Sequence, residues 1–122
     1  MNFDPTRPIY LQIMEAVKKG AVRGVHAPGE QLPSVRDMAV TMGVNPNTMA
    51  RAYQELEREG FVETRRGEGS FVTGDSARID DERRRLADAA RQQFAALIRD
   101  LGLTTLQTRA LLEQINQEMD QP

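Results

Sequence analysis

The sequence predicts a mainly α-helical chain with one small β-hairpin, and three observations lead to that prediction. Apolar residues recur at helical spacing in five stretches of the 122-residue chain. The second and third stretches are short and are joined by a tight turn that contains Gly43, the pattern of a helix-turn-helix. Two β-rich runs joined by a glycine-containing turn follow. This order predicts a winged helix-turn-helix domain over residues 1–74, followed by a short two-helix dimerisation segment over residues 75–122.

Composition narrows the class of protein before any motif is considered. An apolar fraction of 39% suffices for one modest core, and the absence of cysteine excludes disulfides and thiolate chemistry. No apolar run is long enough to span a membrane, and no secretory signal precedes the first helix. We therefore expect a cytoplasmic protein without a membrane partner.

The charge argues against binding nucleic acid through bulk electrostatics. The net charge is −2, with nine Lys/Arg and nine Asp/Glu in residues 1–74 and seven and nine in residues 75–122. Because neither half is basic, any DNA binding must come from the local placement of individual arginines.

The first predicted helix follows a short arm. Pro5 and Pro8 favour an extended chain over residues 1–7, and Pro8 then opens a helix that runs to about Arg23. Residues 26–30, His-Ala-Pro-Gly-Glu, predict a turn after it. The apolar stripe of this helix consists of Tyr10, Ile13, Met14, Val17 and Ala21.

The next two helices carry their own start and stop signals. Ser34 can cap the second helix, with Asp37 three positions later as a short capping-box acid, and Gly43 ends it. Asn45 can cap the third helix, in which Pro46 takes the first position, where no N–H is needed. The residues expected to be buried are Val35, Met38, Ala39, Met42, Met49, Ala52, Tyr53 and Leu56.

The outer face of the third helix is polar. It begins with Asn47 and Thr48 and reaches Arg51, and all three side chains can contact phosphates or base edges. Taken alone, such a face is more often that of a solvated surface helix, so the neighbouring elements decide its interpretation.

A hairpin is predicted after the third helix. Residues 61–65 and 70–73 are strand-like, and the turn between them carries Arg66 and Gly67 at its tip, as a wing would. A nucleotide-binding glycine loop is disfavoured here, because the third spaced glycine and a following helix are missing.

Two further amphipathic helices are predicted in the C-terminal segment. The polar residues 75–81 are expected to act as a joint, a helix covers about residues 79–101, and Thr104 or Thr105 caps the last helix. Two helices of this size cannot bury their stripes on each other alone, so we expect a homodimer. The alternative is that they pack back onto residues 1–74. The predicted dimerisation residues are Leu86, Ala90, Phe94, Leu97, Ile98, Leu101, Leu111 and Ile115.

Four motifs follow one another from the second helix to the hairpin. They are PGEQLPSVRDMA at residues 28–39, GVNPNTM at 43–49, Ala-Tyr followed by LEREG within 52–60, and RRGEGSFV at 65–72. In this order they resemble the DNA-binding domain of the GntR family of bacterial transcription regulators, and the similarity covers about residues 8–73. The remaining segment is too short for the large effector domains of most of that family. It resembles the YtrA type, in which two helices serve dimerisation.

The resemblance implies contacts to a double-stranded DNA operator from the second helix, the third helix and the wing. The implied residues are Ser34, Arg36, Asn45, Asn47, Thr48, Arg51, Arg65, Arg66 and Gly67. Two positions depart from the pattern, since Pro46 and Ala50 stand where some relatives place a contacting arginine. Base readout is therefore expected to rest more on Arg36 and Asn47.

Elementary chemistry agrees with these assignments, although each residue has an alternative role. Arginine can pair bidentately with guanine and asparagine with adenine, and a hydroxyl at a helix start can hold phosphate. Arg36 could instead form a salt bridge, for example to Glu30. Arg65 and Arg66 could form a merely solvated tip. The run at residues 83–85 is expected to be a solvated, ion-paired surface.

The expected function is that of a dimeric, sequence-specific transcription regulator, with repression as the expected mode. The competing interpretation is a winged-helix module that binds proteins and not DNA. A polar, basic edge argues against that module, because an interaction surface would be richer in aromatic residues. An enzyme is not expected, since the chain has no cysteine, one histidine in a turn, and no phosphate loop or metal-spaced cluster. We expect no cofactor and no metal, and a small-molecule effector is left open.

Overall fold

The computed structural model describes residues 2–121, which form five α-helices and one two-stranded antiparallel sheet. In chain order the elements are α1 (Ile9–Val22), α2 (Val35–Met42), α3 (Pro46–Arg58), β1 (Val62–Arg65), β2 (Gly69–Val72), α4 (Ser76–Leu101) and α5 (Thr105–Asp120). This confirms the predicted mainly helical fold with a single hairpin. The chain divides within α4 into one compact unit that ends at Arg84 and a second that begins at Arg85. Among the described helices, none has the length and hydropathy of a membrane span.

The core of the first unit lies where the apolar faces of the first three helices and the hairpin meet. Helices α1 and α2 both pack against α3, which also contacts β1. Burying one side chain of the size found here stabilises a fold by about 1.5–3 kcal/mol. This core therefore determines which face of α3 is left exposed. The largest fully buried side chains are Phe61, Ile13, Met49, Leu56, Val62 and Val72.

The predicted caps of α2 and α3 are present, although among the described residues Asp37 does not return the reciprocal bond of a capping box. Ser34 Oγ accepts a hydrogen bond from the Asp37 N–H (3.1 Å), and Asn45 Oδ1 accepts one from the Asn47 N–H (2.7 Å). Gly43 ends α2 with a φ of 68°, a left-handed conformation that glycine adopts at no steric cost. The turn between the two helices is therefore determined by their capping hydrogen bonds and by the left-handed conformation of Gly43.

The segment before α1 turns at residues 4–7, so the predicted extended arm is wrong there. The buried side chain of Gln12 holds a turn at residues 4–7. Its Oε1 accepts a hydrogen bond from the Asp4 N–H (2.8 Å), and its amide donates to the carbonyl oxygens of Asp4 (2.7 Å) and Arg7 (3.1 Å). The amide gives this backbone the partners that it would otherwise find in water. Met1 lies outside the described residues.

The hairpin is braced by a segment that the sequence pattern did not indicate. Strands β1 and β2 pair from Val62 opposite Val72 to Arg65 opposite Gly69. Gln31 forms an isolated bridge opposite Phe71, on the other edge of β2. The Gln31 side-chain amide also donates a hydrogen bond to the carbonyl oxygen of Glu68 at the hairpin tip (2.6 Å). The tip is therefore tied to the body of the first unit.

Helix α4 begins earlier than expected, at Ser76, so most of the predicted joint at residues 75–81 is helical. Asp75 Oδ1 accepts a hydrogen bond from the Ala77 N–H (3.0 Å) at the helix start. Ile79 is 4% exposed and belongs to the core of the first unit. The predicted joint is wrong because the buried side chain of Ile79 packs this polar segment against the core.

The second unit contains the rest of α4 and all of α5. Thr104 caps α5, since its Oγ1 accepts a hydrogen bond from the Gln107 N–H (3.1 Å) and its N–H donates to Gln107 Oε1 (3.0 Å). None of the described residues of α5 is buried. The predicted dimerisation residues are half-buried at Leu86, Phe94, Ile98 and Leu111, and exposed at Ala90, Leu97, Leu101 and Ile115.

Candidate nucleic-acid interface

The exposed front of α3 forms one wall of a groove of about 580 Å³. Three predicted contact residues, Asn47, Thr48 and Arg51, line it, because Arg51 lies three and four positions after the other two, the spacing that shares a helix face. The opposite face of α3 is enclosed in the core, with Met49 and Ala52 at 0% exposure. The other wall is the start of α1 and the residue before it, namely Pro8, Ile9 and Tyr10.

Arg51 stacks on an aromatic ring across this groove. The guanidinium carbon of Arg51 lies 3.8 Å from the centroid of the Tyr10 ring. Arg51 is exposed and forms no hydrogen bond or ion pair with any described residue. The sequence pattern assigned Tyr10 to the buried stripe of α1, whereas the side chain is half-buried. No pattern within α1 indicates that its ring meets an arginine of α3.

The start of α2 is held against α3 by a buried tyrosine. The Tyr53 hydroxyl donates a hydrogen bond to the Pro33 carbonyl oxygen (2.7 Å), immediately before the Ser34 cap. Burial raises the pKa of Tyr53 to about 12, because the phenolate is poorly solvated there. The tyrosine thus fixes the backbone that presents Ser34 and Arg36.

The Arg36 side chain is exposed and forms no hydrogen bond or ion pair within the described residues. The competing carboxylate considered for it, Glu30, lies instead 3.0 Å from His26 Nδ1. Arg36 therefore does not form the salt bridge that was its alternative role, within the residues that the structure describes. We call such a cation uncommitted, meaning that it has no carboxylate partner among the described residues.

The wing residues are divided between two environments. The Arg65 guanidinium lies over the Phe71 ring (4.1 Å to the centroid) and 3.9 Å from a Glu63 carboxylate oxygen. Arg66, at the tip, is exposed and without a hydrogen bond or ion pair among the described residues. Gly67 beside it has a φ of 79°, which favours glycine at the tip.

Asn45 has a structural role that competes with its predicted contact with DNA. Its Oδ1 already accepts the capping hydrogen bond at the start of α3. Its contact with DNA stays a prediction. No hydrogen bond joins the three predicted contact groups, on α2, α3 and the wing, within residues 2–121.

The arginines of this surface differ from the arginine run in α4. Arg83 pairs with Asp80 and Arg84 with Asp81, as expected for a solvated, paired surface. Arg36, Arg51 and Arg66 have no carboxylate partner among the described residues, and the same holds for the cations at Lys19, Arg23, Arg99 and Arg109. Three of these uncommitted cations thus lie at predicted contact positions.

Comparison with known proteins places this geometry in a family. The family described as "Bacterial regulatory proteins, gntR family" matches residues 9–72. The "Uncharacterized HTH-type transcriptional regulator YhcF" of Bacillus subtilis (strain 168) is 43% identical over 103 residues, which cover 84% of this chain and 85% of that protein. The "HTH-type transcriptional repressor YtrA" of the same strain is 45% identical over 75 residues, covering 60% of this chain and 58% of that protein.

A solved structure extends the similarity beyond the matched domain. A GntR family transcriptional regulator from Listeria monocytogenes superposes with a TM-score of 0.82 at 34% identity. The superposition covers 92% of this chain and 98% of that one, so it includes helices beyond the hairpin. The chain therefore belongs to the GntR family of bacterial transcription regulators, within its YtrA-like subfamily.

Proposed function

We propose that this protein is a sequence-specific DNA-binding repressor that acts as a homodimer on a two-fold operator. The observation that carries the proposal is a set of three arginines, each without a hydrogen bond or ion pair among the described residues, at positions that the resemblance to the family predicts to contact DNA: Arg36, Arg51 and Arg66. An arginine without a carboxylate partner gives up no ion pair when it binds a base or a phosphate.

The first turns of α2 and α3 would read the DNA. Arg36 and Asn47 are both exposed, and their side chains can pair bidentately with guanine and adenine respectively. Ser34 and Thr48 lie at helix starts, where hydroxyls and free backbone N–H groups together bind phosphate. The wing would add a phosphate contact through Arg66.

Residues 75–122 would form the dimer. Leu97 and Leu101 on α4 are 59% and 70% exposed, and Leu106 and Met119 on α5 are each 73% exposed. Apolar side chains exposed in this number are typical of a surface that another chain covers. A second copy is the simplest partner, because symmetric dimers are the commonest assemblies. Two-fold symmetry would place the two α3 helices on half-sites about one helical turn apart, or a multiple of it.

Repression is supported by one relative. YtrA of Bacillus subtilis is named a transcriptional repressor. A dimer would repress simply by occupying its operator. We place this activity in the bacterial cytoplasm, where chromosomal DNA is found.

Selection of duplexes from a random pool, followed by titration, tests the proposal. We expect one two-fold sequence to be enriched. On that site Arg36→Ala should weaken binding by about 1–3 kcal/mol, and by less on a scrambled duplex at the same salt. Arg36→Lys should restore general phosphate attraction without the bidentate pairing, because an ammonium lacks the planar fork.

Arg84→Ala is the matched control, since it removes the same charge from an arginine that is paired with Asp81. It should bind the selected site as the unmodified protein does. If no duplex is enriched and the protein shows no salt-dependent retention on heparin, the protein-interaction module is the better interpretation. Equal losses for Arg36→Ala on both duplexes, with full rescue by lysine, would reduce Arg36 to a phosphate anchor.

A further inference from the structure

We propose that Tyr10 is a positioning residue for DNA recognition: its ring holds the Arg51 guanidinium ready to pair with a base edge. This inference rests on the proposed function and assigns part of the reading site to α1. It starts from the contact between the two side chains, whose guanidinium carbon and ring centroid lie 3.8 Å apart.

The ring is well placed to hold its position. Tyr10 lies in the first turn of α1, and the next turn enters the core through Ile13 and Met14, which are 0% and 7% exposed. Helix α1 packs along α3, the helix that carries Arg51. The two ends of the stack are therefore attached to helices that are fixed against each other by the same core.

The arginine has no other partner to hold it. Arg51 is exposed, and within the described residues it forms no hydrogen bond or ion pair. A free arginine side chain loses considerable rotamer entropy when it is immobilised on a base. Stacking on a ring restricts the side chain before DNA arrives, so less entropy is lost on binding. The stack leaves the N–H groups at the edge of the guanidinium plane available for bidentate pairing.

The groove geometry agrees with a role in reading and not only in stability. Tyr10 and Arg51 line the same open groove as Asn47 and Thr48. A base edge that enters this groove to meet Asn47 would come next to the stacked guanidinium. The first turn of α1 would then form one side of the reading site.

A double-mutant cycle tests this coupling on the selected operator. Tyr10→Leu keeps an apolar side chain but removes the ring, and should lower affinity about two- to fivefold, the range expected of an exposed cation–π contact. Tyr10→Phe keeps the ring and should bind like the unmodified protein. In an Arg51→Ala background, Tyr10→Leu should have no further effect, because the side chain that it positions is gone. A purely structural role would cost the same in both backgrounds, and that result would overturn the proposal.

The wing offers a matched control with a second stack. Phe71→Leu removes the ring beneath Arg65 (4.1 Å). In combination with Arg51→Ala it should give additive losses, because Arg51 stacks on Tyr10 and not on the Phe71 ring. Coupling as strong as that of Tyr10 would show that loss of any ring acts through general destabilisation, and would count against the proposal.

A spectroscopic measurement on the unmodified protein is independent of how the variants fold. The side-chain protons of Arg51 should show an upfield ring-current shift by NMR in the absence of DNA. Random-coil values would overturn the proposal. If the stack is seen but no duplex is bound specifically, the proposed function fails. If a duplex is bound specifically but the cycle is additive, only the role of Tyr10 fails.

Discussion

Lys18 Nζ in α1 lies 4.0 Å from Oε1 of Glu82 in α4. Glu82 is only 8% exposed, although it lies in a run of charged residues. The same ammonium lies 2.8 Å from Oε2 of Glu59, just after α3, and Arg78 donates to the Glu59 carbonyl oxygen. The start of α4 is therefore attached to α1 and to the end of α3 by charged groups as well as by its apolar anchor.

We predict that Lys18→Ala lowers the free energy of unfolding by about 1–3 kcal/mol, because it removes an ammonium beside a buried carboxylate. Lys19→Ala is the matched control. Lys19 is exposed and has no partner among the described residues, so its loss should change stability by less than about 0.5 kcal/mol. Urea denaturation at a fixed protein concentration measures both variants. Equal midpoints for the two variants would contradict the prediction.

Tyr53→Phe should destabilise the fold by about 0.5–1.5 kcal/mol at neutral pH, because the hydroxyl donates to the Pro33 carbonyl oxygen. Thermal or urea unfolding measures this difference. The variant should also weaken operator binding slightly, since the bond fixes the backbone before Ser34. A variant as stable as the unmodified protein would show that water replaces the hydroxyl.

The same tyrosine predicts a pH dependence at alkaline pH. Burial raises the pKa of Tyr53 from 10.0 to about 12, so the folded state holds this proton more tightly than the unfolded state does. The stability associated with the proton is complete below pH 10 and is lost as the pH rises towards 12. The stability advantage of the unmodified protein over Tyr53→Phe should therefore shrink across that window. An advantage that stays constant would argue against the buried phenol.

Arg66→Ala should weaken binding to all duplexes by the same factor. The exposed, unpaired side chain at the wing tip is expected to meet one phosphate, so the slope of log affinity against log salt should fall by about one unit. Titrations at several salt concentrations measure this slope. Arg58→Ala, which removes an arginine paired with Glu55 (3.4 Å), is the control and should leave the slope unchanged. A changed base preference with an unchanged slope would assign Arg66 to base readout instead.

If the proposed dimer forms through residues 75–122, Leu97→Glu combined with Leu101→Glu should convert it to monomers in sedimentation experiments. Both side chains are largely exposed in the single chain, so the charges oppose association without entering the core. Ala96→Glu adds a charge to an exposed position of α4 that points away from this stripe, and should leave the proposed dimer intact. A dimer that survives the double substitution would place the interface elsewhere.

The candidate site could be predicted in part because much of it depends on local periodicity. Asn47, Thr48 and Arg51 share a face because α3 is a helix, and the core residues on its other side follow from the same period. Tyr10 could not be assigned in this way. Its meeting with Arg51 joins residues on two helices whose relative placement depends on core packing.

The sequence by itself determined the order of elements and most of their ends. Helices α2 and α3 begin at Ser34 and Asn45 and are separated by Gly43, because capping and left-handed turns involve residues only a few positions apart. The hairpin likewise follows from β-rich runs on either side of a glycine turn.

Only the tertiary structure decided the contacts that connect distant parts of the chain. The Gln12 amide folds the predicted arm, Gln31 braces a hairpin tip 37 residues away, and Ile79 turns a polar stretch into an anchored helix start. Each of these residues has a partner that local pattern does not specify. Such partners are selected by the packing of the whole chain, because a hydrogen-bonding amide or an apolar anchor is stabilised only where the folded chain supplies its complement.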